Sequence, residues 1–122
     1  MHAIQNEVAY DYIRKEVMDY IEKNYSERAT LNELSKILHL NHAYLSRLIK
    51  KITGKNFQIL LLTYRMEIAK IKLLSGFKVY VVADQVGFNN PAHFSQMFKK
   101  CVGVSPSKFC RKKEDNCDNA IF

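Results

Sequence analysis

Tryptophan is absent from this 122-residue chain, proline occurs twice and glycine four times. So few helix breakers exclude collagen-like and low-complexity chains and leave long stretches free to be helical. Clean apolar–polar alternation between hairpin turns is also missing, which excludes a β-sandwich or barrel. Cysteine is scarce and odd in number: Cys101, Cys110 and Cys117. No C-x-x-C pair occurs. Neither a disulfide framework nor a zinc site is therefore expected, and the thiols fit a reducing compartment. The longest apolar run, ILLL at 59–62, is far too short to cross a membrane. The opening MHAIQNEVAYDY is polar and lacks the apolar core of a secretory leader. These absences lead to the expectation of a soluble, cytoplasmic protein.

What is present is apolar content and positive charge. Apolar residues make up 48% of the chain, enough to close a modest core in one domain or two small subdomains. Lys and Arg number 19 against 12 acidic residues, a net charge of +7. On so small a chain that excess favours a polyanionic partner.

The few glycines and prolines punctuate an all-α pattern. Gly54, Gly76, Gly87 and Gly103 fall near the ends of helical periodicity, where a left-handed residue closes a helix. Asn90-Pro91 and Ser105-Pro106 have the order of an N-cap followed by the first helical residue. Helices are expected over Asn6–Asn24, from Thr30 to about Leu38, His42–Ile52, Asn56–Leu74, Val79–Val86, Pro91–Val102 and Pro106–Lys112. Thr30 and Glu33 have the spacing of a capping box. The tail KKEDNCDNAIF shows little pattern and is expected to fray over 114–122.

The chain repeats itself. YLSRLIKKITG (Tyr44–Gly54) aligns with HFSQMFKKCVG (His93–Gly103). Ser46 meets Ser95, Lys50-Lys51 meets Lys99-Lys100, and Gly54 meets Gly103. Upstream, LSKILHL at 34–40 aligns with VADQVGF at 82–88, with one more residue between turn and helix in the second copy. Ser35 and Ala83 match at an inner position where crossing helices need a small side chain. Each copy reads short helix, tight turn, longer helix, so the chain is expected to carry two helix-turn-helix modules. The boundaries expected are 6–54 for the first, 55–75 for a linking helix and 76–113 for the second.

LNELSKILHLNHAYLSRLIKKITGKNF, then YRMEIAKIKLL, then VADQVGFNNPAHFSQMFKKCVGVSPSKFCR resembles the DNA-binding domain of AraC/XylS-type transcription regulators. The similarity covers about Ile13 to Arg111, and VGFNNPAHFSQMFKKCVGVSPSKF is its most specific part. The resemblance implies about seven helices, in two helix-turn-helix subdomains joined by one long helix. It also implies binding to promoter DNA and control of transcription, usually activation.

A helix-turn-helix puts the start of its second helix against base edges in the major groove. On the first such helix Leu45, Leu48, Ile49 and Ile52 form the inner stripe. His42, Ala43, Ser46, Arg47 and Lys50 face outward. On the second, Phe94, Met97, Phe98 and Cys101 are expected inside. Pro91, Ala92, Ser95, Gln96 and Lys99 face outward. These outward sets match the positions at which the resembled family contacts DNA. Arg47 suits a bidentate pair with guanine and Gln96 one with adenine. Ala43 and Ala92 can touch a thymine methyl. Lys50, Lys51, Lys99 and Lys100, with the helix starts at Asn41 and Asn90, suit phosphates. Tyr44 and His93 are equivalent; Tyr44 reads as packing, and His93 reads equally as packing or as a DNA contact. Many family members have arginine where Gln96 stands, so the first module is expected to hold the stricter sequence preference. A helix over 56–74 would be roughly 28 Å long, compatible with reaching two grooves about 34 Å apart.

Two other classes compete. A helical protein-interaction module, with only non-specific affinity for DNA, would explain the apolar helix at 56–74. Packing between the two subdomains is expected to account for most of that helix's apolar residues, and the remainder suits contact with RNA polymerase or with an N-terminal effector or dimerisation domain. An enzyme is not expected, because no nucleophile–base set, phosphate loop or paired carboxylates stands out. No cofactor or metal is expected.

Overall fold

The computed structural model describes the backbone of residues 2–110 and the side chains of residues 7–110. The tail expected over 114–122 lies outside the described residues. Six helices run in order: α1 (His2–Asn24), α2 (Leu31–Ile37), α3 (His42–Thr53), α4 (Phe57–Leu74), α5 (Val79–Gln85) and α6 (Pro91–Val102). A seventh, α7, covers described residues 106–110, and its expected end at Lys112 lies outside them. No strand occurs among the described residues. The fold is all-α, as the punctuation requires.

Local chemistry sets the helix ends. Thr30 is extended and its side chain accepts from the Glu33 amide, opening α2. Asn41 accepts from the Tyr44 amide to open α3, and Asn56 accepts from Ile59 to open α4. Asn90 accepts from Ala92 and His93 while Pro91 fills the first position of α6. Each cap satisfies an amide that the helix leaves without a partner. Gly54 and Gly103 end α3 and α6 at φ 78 and 98, which costs a glycine little.

The chain forms two compact units that divide between Tyr64 and Arg65, inside α4. In the first unit α3 packs on α1 and α2. Ile13, Val17, Tyr20 and Ile21 of α1 form one core with Leu34 of α2, Leu45, Leu48 and Ile49 of α3, and Phe57 and Leu61 of α4. Burying each large aliphatic side chain fully is worth about 1.5–3 kcal/mol. α1 begins before Asn6, where the periodicity placed its start.

In the second unit α5 packs on α6. Met66, Ala69, Leu73, Val82, Ala83, Val86, Phe88, Phe94, Phe98 and Pro106 are buried. Aromatic rings run through it in series: Phe88–Phe94 at 5.5 Å, Phe94–Phe98 at 5.8 Å and Phe98–Phe109 at 5.5 Å between centroids. Cys101 corrects an expectation, for it is exposed. By angle it belongs to the stripe of Phe94 and Phe98, but it sits in the last turn of α6, past the buried pair. Its counterpart Ile52, and Met97 on the same stripe, are only half-buried. On α4, Ile59 and Ile71 are exposed.

Candidate nucleic-acid interface

The two tight turns match bond for bond. In the first, the Leu40 amide donates to the Ser35 carbonyl at 2.9 Å and the His39 amide to Lys36 at 3.2 Å. In the second, Phe88 donates to Ala83 at 2.8 Å and Gly87 to Asp84 at 3.1 Å. His39 takes φ 55 where Gly87 takes φ 91. The turn therefore demands a left-handed residue in both copies, and histidine tolerates that region better than most side chains. Beneath each turn the inner position is small and closed: Ser35 is buried with its hydroxyl donating to Asn32, and Ala83 is buried. The closing bonds of the second helices match as well. Gly54 donates to Lys50 and Gly103 to Lys99, each at 2.8 Å.

These matched frames carry the residues singled out from sequence. On α3, His42, Ala43, Arg47, Lys50 and Lys51 are exposed and Ser46 is half-buried. Leu45, Leu48 and Ile49 hold the opposite face in the core. On α6, Pro91, Ala92, His93, Gln96, Lys99 and Lys100 are exposed beside the exposed cap Asn90, and Ser95 is half-buried. Phe94 and Phe98 anchor that helix. Each set thus shares one outer helix face. The His93 ring stands edge-on to Phe88 at 5.4 Å, so it packs while remaining open to solvent.

Charge on these faces is basic, and its lysines gather at the helix ends whose dipole favours cations. The last turns of α3 and α6 each carry two lysines. No group of His, Cys, Asp and Glu among the described residues could hold a metal ion. In the second unit Arg65 lies over the Phe88 ring at 5.8 Å, and burial pushes its guanidinium below the usual arginine value.

Sequence reasoning missed one feature of the first unit. Lys51 lies over the ring of Tyr10, on α1, at 5.6 Å. Tyr10, Tyr44, Arg47, Leu48 and Lys51 together line a cleft of about 310 Å³. Tyr44, expected to pack, is 48% exposed and forms part of that wall. No periodicity in α1 marks Tyr10, because its partner is set by how α1 crosses α3.

A family model described as a helix-turn-helix domain matches residues 34–112. The fold is shared with a transcriptional regulator from Chromobacterium violaceum described among AraC-type DNA-binding domain-containing proteins. That match has a TM-score of 0.79 and 18% identity, covering 87% of this chain and 96% of that one. The chain belongs to the AraC/XylS-type helix-turn-helix family. As an AraC-type DNA-binding domain, it is similar to the C-terminal domain of the two-component response regulator yesN from Fusobacterium nucleatum. There the identity is 38% and the TM-score 0.76, over 80% of this chain and 96% of that chain. It is also 33% identical to the HTH-type transcriptional regulator YisR of Bacillus subtilis, over 88% of this chain but 38% of the relative. The AraC-type domain thus spans well under half of that relative's length. Among the described residues no helix is long and apolar enough to cross a membrane.

Proposed function

We propose that this AraC-type domain reads a specific promoter sequence and activates transcription there. Each helix-turn-helix would place its second helix, α3 or α6, in a major groove. The observation that supports this most is the matched pair of outer faces raised on turns closed by the same hydrogen-bond pattern. Arg47 takes guanine in this reading and Gln96 takes adenine. Ser46, Ser95, Ala43 and Ala92 complete the base contacts. His42 and His93 stand at the helix starts, beside the phosphates. Lys50, Lys51, Lys99 and Lys100 hold phosphates, aided by the helix starts at Asn41 and Asn90. The units 6–54 and 76–113 act as two readers, with 55–75 between them. The protein works in the cytoplasm, where a longer regulator would add an effector or dimerisation domain and contact RNA polymerase.

Selection of binding sites from random duplex DNA tests the reading. Two short preferred blocks, about one helical turn apart, are expected. Equal affinity for every duplex in competition would sink it and favour a protein-interaction module. Four lysine–phosphate contacts predict a slope of log affinity against log salt of roughly −3 to −4.

A further inference from the structure

We propose that the cleft between α1 and α3 seats one DNA backbone phosphate, and that Tyr10 positions Lys51 to hold it. This rests on the reading that α3 enters the major groove. Of the five lining side chains two are cationic, two are phenolic, one is apolar and none is acidic. Arg47 and Lys51 stand one helical turn apart on the same face, where like charges repel. Nothing lining the cleft neutralises them. A backbone phosphate held by Lys51 would relieve that repulsion and leave Arg47 to its base.

Tyr10 supplies what a surface lysine lacks. A free lysine loses rotamer freedom when it grips a phosphate. The Tyr10 ring, 5.6 Å from the ammonium, has already restricted Lys51. Tyr10 is half-buried against the core of the first unit, so its ring is itself held. The binding surface of the first module therefore extends from α3 onto α1. Phosphate contacts carry no base information, so the cleft adds affinity and register and leaves sequence preference to α3.

The test uses the whole chain and a selected duplex, with affinity measured across a salt series. Lys51→Ala should lower the magnitude of the salt slope by about one. Tyr10→Leu should weaken binding roughly 3- to 10-fold on matched and mismatched duplexes alike, the range for releasing one immobilised side chain. Tyr10→Phe keeps the ring and should keep the affinity. With Lys51→Ala already present, Tyr10→Leu should cost nothing more. An unchanged salt slope in Lys51→Ala would overturn the proposal, and that exposed substitution does not threaten folding. So would wild-type affinity in a folded Tyr10→Leu protein. Arg47→Ala, measured on the same duplexes, separates the two levels. If it leaves the matched-to-mismatched ratio unchanged, the base-reading role of α3 fails, whatever Tyr10 does.

Discussion

Tyr20 completes the cap of α2 through Glu33: its hydroxyl donates to Glu33 Oε2 at 3.1 Å. The same hydroxyl accepts from the Thr30 amide at 3.0 Å. In an ordinary capping box the glutamate would reach back to that amide itself. Here a tyrosine from α1 stands between the two, so the start of the first helix-turn-helix is tied to the helix before it. Tyr20 is 5% exposed, so its hydroxyl meets these partners at the edge of the core.

Tyr20→Phe should therefore cost about 2 kcal/mol, for one lost bond and a Thr30 amide left without its partner. Thr30→Ala should cost about 1 kcal/mol through its own cap. Denaturant unfolding of both single variants and the double variant measures this. The double variant should fall short of the sum, because the groups share one network.

Alkaline pH should loosen the first unit. Burial raises the Tyr20 phenol above its ordinary 10.0, helped by Glu33 and opposed by the Thr30 amide. Burial also raises Tyr64, with Glu22 and Tyr25 adding to it. Below pH 10 both phenols keep their protons folded or unfolded, so the stability is intact. Above about pH 10 the unfolded chain releases them first, and stability falls as pH rises. Unfolding free energy measured from pH 8 to 11 should bend downward near 10. The pair Tyr20→Phe and Tyr64→Phe should remove most of the bend.

The two turns make opposite predictions for the same exchange. At His39 a side chain occupies a left-handed backbone that favours glycine, so His39→Gly should raise stability, by at most about 1 kcal/mol. Gly87→Ala should lower it by about 1–2 kcal/mol for the same reason. Thermal melts of the two variants decide the matter by the sign of the shift.

Arg47 and Gln96 occupy matching positions on α3 and α6, and their chemistry differs. Arg47→Ala should cost about 1–3 kcal/mol on the selected duplex and relax its preference at one base pair. Gln96→Arg should switch the preferred base at the second block from adenine toward guanine. Lys99→Ala should weaken all duplexes alike. Competition binding with single-base variants of the site reads all three.

Much of the fold was legible because its boundaries are local chemistry. Asn41, Asn56 and Asn90 cap within their own helices, and Gly54 and Gly103 close theirs, so neighbours in sequence suffice. The basic faces followed from helical angle alone: Arg47 and Lys50 lie opposite Leu45 and Leu48. Angle failed at Cys101, which has the right direction but stands in a turn the core does not reach. Ile59 and Ile71 are apolar yet exposed, because residue type does not by itself set burial.

By itself the sequence determined the helices, the duplicated turn and which face of each second helix is wet. Those depend on spacing, capping and backbone preference, which act over a few residues. Tertiary structure alone decided that Tyr20 completes the cap at Thr30 and that Tyr10 lies against Lys51. Both depend on where α1 crosses its neighbours, and that crossing comes from the shape of a packed core contributed by four helices.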